Sequence, residues 1–385
     1  MHQLGILRVA LWLVLATAGC AERGDGYLDS GAAPRISVQE RGVVSGRRLG
    51  LVPLPFGAGG VVPLEGDVLA IAQPQDAVIV IAGPSGEIRT TVGRRGDGPG
   101  EFQFVGRLGF RGDSLVVWDW MLRRFTLFSP AQGDWRVERT FHLIRLEMQE
   151  PAGPGAFNFS SPLALTQDAE VIAYLSSAVH SGLGRLGSDG RVTGSVVELT
   201  APGEVAIART VSGQVTATPF PLSARYHVSP RGSHVAIVRT MTGTSDERFV
   251  VLTLLDHRLD TLYTRRYPYR GSAISESAID SAVSRATRRL PTDLATEYRR
   301  QVVVPPVYPP VIDVVAGDDG TVSLELHSAT ANRLYLLVSS VGDVLGSFSL
   351  PGVEKVQWVQ RDAILVTRRD ADDVESVVRY DLAPP

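Results

Sequence analysis

Cysteine and lysine are almost missing from this chain: Cys20 and Lys355 are the only ones among 385 residues. A single thiol cannot close an intramolecular disulfide, so the fold must rest on its apolar core. The other fixed cations are all arginine, a bias that a GC-rich genome produces and that points to no function. Charge of one sign is scarce too. The formal net charge is −3, with no basic stripe and no large acidic tail, so nothing calls for nucleic acid. The N-terminal apolar run, Val9 to Ala18, is too short to cross a bilayer as a helix. The Gly-rich stretch Gly93 to Gly100 lacks the Gly-Lys-Ser/Thr and following helix of a phosphate cradle. His142, His180, His227, His234, His257 and His327 are scattered, with no i,i+4 pair around a Glu, and no G-x-S-x-G elbow is present.

What the chain does have is turns. Thirty-nine glycines and 24 prolines, in a sequence 44% hydrophobic and 21% charged, favour a strand-rich globular fold. Length alone would suggest two or three domains, but all-β folds run this long as one unit.

At the N-terminus, Arg8 precedes the run Val9 to Ala18 and small residues follow, the layout of a secretory signal peptide over residues 1–19. Cys20 comes next, in Leu15-Ala16-Thr17-Ala18-Gly19-Cys20. This stretch resembles the bacterial lipobox, in which the cysteine is acylated and becomes the first mature residue; Thr17 stands where Leu is usual. The resemblance implies lipidation at Cys20 and stable attachment to a membrane through several acyl chains. The other reading is ordinary cleavage after Ala18, which would leave Cys20 a free thiol in an oxidising compartment. Residues 20–34 then read as a lipidated cysteine with a flexible tether reaching roughly 20 Å. Residues 35–385 read as the folded body. Ala21, rather than Asp, follows the cysteine, which by lipoprotein sorting favours the outer membrane in a host with two membranes.

From Val61 onward, short apolar runs are broken by Gly/Asp turns in two series. The first is Glu65-Gly66-Asp67, Arg111-Gly112-Asp113, Gln167-Asp168, Pro230-Arg231-Gly232, Asp318-Asp319-Gly320 and Arg361-Asp362. The second lies about twenty residues behind: Pro84-Ser85-Gly86, Ala131-Gln132-Gly133-Asp134, Ser188-Asp189-Gly190, Asp256-His257-Arg258 and Val341-Gly342-Asp343. Six of one and five of the other predict six four-stranded units, the last one strand short. That is the period of an all-β, six-bladed β-propeller, whose sheets must pack face to face because none buries both faces alone. Ile36 to Val44 is the predicted missing strand, placed beside Val374 to Tyr380 in a terminal-strand (velcro) closure.

The longest interval predicts a short helical and Pro-rich insertion at about 269–310. Ile274, Ala278, Ala282, Ala286 and Leu290 recur at i+4, Arg285, Arg288 and Arg289 suit the dipole of a helix C-terminus, and Pro291 ends the helix. A second helix over Thr292 to Arg300 is followed by Pro305-Pro306 and Pro309-Pro310, which force extended chain.

In the second unit, Val117-Trp118-Asp119-Trp120-Met121-Leu122-Arg123-Arg124-Phe125-Thr126-Leu127-Phe128 resembles the NHL repeat. Asp119, Arg124, Phe125 and Phe128 hold its Asp, Arg, apolar and Phe positions. An Asp ending one strand can pair with an Arg starting the next, so Asp119 and Arg124 read as a structural hairpin clamp rather than a catalytic pair. Gly93-Arg94-Arg95-Gly96-Asp97-Gly98-Pro99-Gly100-Glu101-Phe102 is similar to a loop of bacterial NHL-like six-bladed propeller lipoproteins, in the TolB-like six-bladed propeller group. The helical insert, Pro-rich run and Asp318-Asp319-Gly320 are similar as well. The fifth unit keeps Asn332-Arg333-Leu334 but has Ser328 where Asp is expected. The resemblance implies architecture and anchoring, not an activity.

The Gly-rich loop offers Arg94, Arg95, Asp97 and Glu101, with Phe102 as an apolar anchor; the insertion offers Tyr269, Arg285, Arg288 and Tyr298. Both segments join one blade to the next, so they are expected as neighbours on one face near the channel mouth. Mixed charge with exposed aromatics there suits a protein or a polar polymer as partner. The expected function is a lipid-anchored envelope binding or interaction propeller without an evident catalytic site, with a structural subunit of an envelope complex as a weaker reading. The alternative, by resemblance to gluconolactonase-like six-bladed enzymes, is a metal-dependent hydrolase or lyase at the central channel. Glu65, Asp97, Glu101, Asp313 and Asp318 would then gather a divalent metal; otherwise they are loop and turn carboxylates. No other cofactor is expected. Two Arg-Gly-Asp triplets, Arg95 to Asp97 and Arg111 to Asp113, fall at predicted turns that call for Gly and Asp anyway, so adhesion is not assigned to them.

Overall fold

Short β-branched and aliphatic runs separated by tight turns pair with their chain neighbours, and six four-stranded antiparallel sheets result in the computed structural model. It describes residues 28, 32–46, 60–131, 134–142, 159–176, 180–199, 208–209, 215–216, 220, 223–242, 247–288, 290–302 and 304–383. The expected signal peptide and Cys20 lie outside the described residues.

Blade one comprises Val61–Pro63, Leu69–Gln73, Val78–Ala82 and Ile88–Val92. Blade two comprises Val105–Arg111, Ser114–Asp119, Arg124–Ala131 and Asp134–His142. Phe159–Leu165, Val171–Ser176, Ser181–Leu186 and Val192–Glu198 form blade three. Arg225–Val228, His234–Thr242, Arg248–Asp256 and Thr261–Pro268 form blade four. Blade five is Val311–Ala316, Val322–Leu326, Asn332–Val338 and Val344–Pro351. Every first-series turn falls between strands one and two of a blade, and every second-series turn between strands three and four.

Blade six takes three strands from the C-terminal end, Glu354–Gln360, Ala363–Arg369 and Glu375–Ala383; its outer strand is Ser37–Val44. Ser37 lies opposite Ala383 and Val44 opposite Val377, so the expected velcro closure is present. A register shift between Glu40 and Gly42 switches the faces along the outer strand, so Ile36 enters the cluster shared with blade five and Val44 the one shared with blade one.

The core is a ring of six wedges between neighbouring blades. Ile79 and Leu115 meet between blades one and two, Trp118 and Leu175 between two and three, and Ile172 and Val235 between three and four. Leu252 and Leu324, Tyr335 and Ile364, and Trp358 and Ile71 fill the remaining three. Each sheet thus buries both faces only because it has two neighbours, which is why closure matters.

Of the expected tether, the described residues rest on the body: Leu28 N donates to Pro268 O at 2.7 Å, and Leu28 and Ala33 pack against the wedge of blades four and five. Ser347 N donates to Pro34 O at 2.7 Å and Ile36 N to Ser347 O at 2.8 Å. Two apolar side chains and an otherwise open outer edge of blade five account for the docking.

The insertion forms helices α1 (Glu276–Thr287) and α2 (Thr292–Gln301). Ser275 caps α1 by accepting from Ala278 N at 3.2 Å. Val283 and Tyr298 are the buried centre of a small core with Ile279, Ala286, Leu290 and Val302. Ala273 bridges Val307 and Tyr308 N donates to Ser272 O at 3.0 Å, closing the neck of the insertion. No described helix is long and apolar enough to cross a membrane.

Candidate functional site: the axial channel

Strand direction sorts the loops onto two faces. Both turn series lie on one, the turn face; the inter-blade connections lie on the other, the connection face. At the turn face the axis is bridged. Phe110 N in blade two donates to Pro230 O in blade four at 2.9 Å, a contact between blades that are not neighbours. The Arg231 guanidinium donates to Gly112 O at 2.7 Å and lies 4.9 Å from the centre of the Phe110 ring; Arg231 N donates to Asp318 Oδ1 at 2.9 Å. Gly109 permits this approach, because a side chain there would strike Pro230 O.

Toward the connection face the innermost strands bring a different set of residues to the axis. Arg107, Tyr226, His227, Asp313 and Lys355 each stand second or third in the first strand of their blade, so they share one depth. They come from blades two, four, five and six. Lys355 Nζ pairs with Asp313 Oδ2 at 2.8 Å, both partly open to solvent. His227 is buried; Ala316 N donates to its Nδ1 at 3.0 Å, which puts the ring proton on Nε2, and Nε2 has no partner among the described residues. Burial and then the Arg107 charge push the His227 pKa down to about 4, against the pull of Asp313. Burial also lowers the pKa of Arg107 itself and raises that of Tyr226 to about 12. Tyr226 stacks on Tyr174 with centroids 5.6 Å apart. Blades two, four and six are not neighbours, so their charges reach one another only across the axis. No carboxylate of the described residues pairs with Arg107, which leaves the cluster two fixed cations to one anion.

Around the mouth, Tyr308 stacks on His327 at 4.1 Å and meets Phe220 edge-on at 5.8 Å. Across the ring, the turn after Asp119 exposes Trp120 and Met121.

The Gly-rich loop is engaged with itself. Arg94 pairs with Glu101 at 2.7 Å, and Glu101 Oε2 accepts from Gly98 N at 2.8 Å; that N–H and then Arg94 hold the Glu101 carboxyl below its usual range. Arg95 donates to Gln75 O and Gln103 O, and Asp97 accepts from Gln103 Nε2 at 2.8 Å. Three expectations need correction. Phe102 is no exposed anchor: it is fully buried in the wedge of blades one and two, under Gly93, which has φ +85° and no room for a side chain. Tyr269 and Tyr298 are likewise buried, in the wedge of blades four and five and between α1 and α2. Aromatic area is worth more in these cores than in water. Nor are the two segments neighbours. One joins blades one and two and the other blades four and five, half a ring away, where α2 lies beside the Ala208–Arg209 strand. Arg285 and Arg288 remain exposed.

The five acids do not converge. Glu65 and Asp318 sit in turns on the turn face, Asp97 and Glu101 in the loop, and Asp313 on Lys355. Among the described residues, no three His, Cys, Asp or Glu side chains form a group that could hold a metal ion. Of the axial side chains, the sequence points to Asp313 for the channel and not to Arg107, Tyr226, His227 or Lys355. The available signal was a polar residue two or three places into each predicted first strand, and the position of the lone lysine.

No protein-family model matches the chain, and no curated protein matches it. Solved structures similar to it include a protein described as exported from Bacteroides fragilis, at 10% identity and TM-score 0.44, covering 94% of this chain and 98% of that one. A PQQ-bound aldose sugar dehydrogenase from Streptomyces coelicolor has 10% identity and TM-score 0.42, covering 91% and 100%. A calcium-binding regucalcin from Agrobacterium tumefaciens has 11% identity and TM-score 0.41, covering 91% and 96%. The assignment as a six-bladed propeller stands on the chain's own six sheets and six wedges.

Proposed function

We propose that the chain is a binding propeller of the cell envelope, lipid-anchored through Cys20, whose ligand enters the axial channel from the connection face. The observation that carries this reading is the set of polar side chains on the inner strands of four blades: Arg107, Tyr226, His227, Asp313 and Lys355, on the connection-face side of the contact between Phe110 and Pro230. Few polar groups converging on one place are what fixes a ligand's orientation in a binding site. These side chains include no nucleophile held by a base, so binding is favoured over catalysis. Asp313 is held by Lys355 and the other acids lie elsewhere, so the metal-dependent alternative gains no support from geometry.

The docked tether supports an orientation. Leu28 is fixed to Pro268, at the connection-face end of the outer strand of blade four. The eight residues from Cys20 to Leu28 span at most about 28 Å. An acylated Cys20 would therefore hold the channel mouth toward the membrane surface.

The test is photo-crosslinking in the native host. A photoreactive residue at Met121, on the connection face, should yield ligand or partner adducts; one at Asp113, on the turn face, should not. In parallel, a fatty-acid analogue should label the wild type and not Cys20→Ser. Adducts from Asp113 alone would sink the binding face, and equal labelling of both proteins would sink the anchor.

A further inference from the structure

We infer that the axial site takes a monoanionic carboxylate, bound between Arg107 and Lys355 with Asp313 as the group it displaces. This deepens the binding reading above and rests on it. Three features of the channel lead there. Arg107, partly buried on the inner strand of blade two, has no acidic partner among the described residues, an arrangement that an incoming anion would relieve. Its planar fork of donors matches a carboxylate in bidentate fashion. His227 adds an Nε2–H donor that is buried and unsatisfied, because Ala316 N fixes the other ring nitrogen as acceptor.

The charge count selects among anions. Arg107 and Lys355 against Asp313 leave one positive charge, and His227 is neutral at physiological pH. A carboxylate brings the cluster to neutrality. A phosphate dianion would overshoot and leave an uncompensated charge in a poorly solvated channel. Tyr226, stacked on Tyr174 over the wedge of blades three and four, adds an aromatic surface on the side of Arg107.

Asp313 makes the inference testable by gain rather than loss. Its carboxylate already engages Lys355, so it competes with any incoming carboxylate. Full-length protein in detergent would be titrated with sodium acetate, galacturonate, galactose and phosphate at constant ionic strength, following the melting temperature. Acetate and galacturonate should raise it saturably, phosphate less, and galactose not at all. Arg107→Gln should weaken the apparent affinity at least tenfold, while melting at or above wild type without ligand because an unpaired internal charge is gone. Asp313→Asn should bind both carboxylates more tightly than wild type, an outcome misfolding cannot mimic. No saturable response to either carboxylate, an equal response to galactose, a stronger one to phosphate, or weaker binding by Asp313→Asn would overturn the inference. Crosslinking at Met121 would stand regardless, so the two readings fail separately.

Discussion

Asp119 and Arg124 lie directly opposite each other across the second hairpin of blade two, yet each bonds to backbone rather than to the other. Asp119 Oδ1 accepts from Met121 N and Leu122 N, both at 2.8 Å, and Oδ2 from Gln103 N at 2.8 Å and Phe104 N at 3.3 Å. Arg124 donates to Asp97 O, Gly98 O and Glu101 O at 2.5–2.6 Å. The expected hairpin clamp is thus wider than a pair. It ties the hairpin to the whole connection from blade one, with carboxylate and guanidinium serving as caps for loop N–H and C=O groups.

Asp119 is fully buried, so removing it strands several backbone donors. Asp119→Ala should cost about 3–5 kcal/mol. Asp119→Asn, which keeps one acceptor oxygen, should cost roughly half as much, on the order of 2 kcal/mol. Thermal and denaturant unfolding followed by circular dichroism would measure both. Equal losses would mean that the one acceptor oxygen kept by Asn supplies none of the stabilisation.

The fold was legible where turns carry it. Gly66, Gly112, Gly232 and Gly320 mark first-series turns, all at positive φ, and such residues announce themselves in a sequence. The terminal closure was legible because one strand was missing from a count. The site was not, because it is made of one or two residues from each of four blades whose approach depends on ring closure, which no local pattern encodes. Arg107 reads as one more arginine until its blade is set opposite His227. The exposed aromatics expected at Phe102, Tyr269 and Tyr298 failed for a related reason: loop position says little about burial when the loop feeds an inter-blade wedge. The fifth unit departs from the repeat pattern at Ser328, yet keeps a clamp by another route, with Arg333 pairing to Glu325 at 2.7 Å.

Deleting residues 21–45 should abolish cooperative unfolding, since it removes the outer strand of blade six and the docked Leu28 together. Deleting only residues 21–27 should leave the unfolding midpoint unchanged, whereas a deletion through residue 31 should lower it by removing Leu28. Ile36→Ala, a substitution in the wedge of blades five and six, should cost about 2–4 kcal/mol. Cooperative unfolding of the 21–45 deletion at the wild-type midpoint would show that the ring does not need this strand.

Glu101→Ala should loosen the Gly-rich loop without unfolding the protein. The carboxylate fixes Gly98 N and Arg94, while Phe102 and Arg124 hold the loop from beneath. Amide hydrogen exchange over residues 94–101 should quicken severalfold while the melting temperature stays near wild type. Unchanged exchange would mean that Arg124 alone orders the loop.

The pH dependence of stability should carry the signature of His227. Its pKa lies at about 4 in the folded protein, against an ordinary value of 6.5, because burial, Arg107 and Lys355 disfavour the imidazolium more than Asp313 favours it. Between these two values the unfolded chain binds the proton and the folded one does not, so stability rises with pH across that window and falls on acidification. A shift of this size corresponds to roughly 3 kcal/mol lost between pH 7 and pH 4. His234 and His327, also lowered by burial, add in the same direction. His227→Asn keeps an acceptor for Ala316 N and cannot titrate, so its denaturant-derived stability should be markedly flatter over pH 4.5–7 than that of the wild type. The difference should grow as pH falls and vanish above pH 7. Parallel curves for the two proteins would mean that His227 is free to take up its proton in the folded state, with Arg107 too far across the axis to resist it.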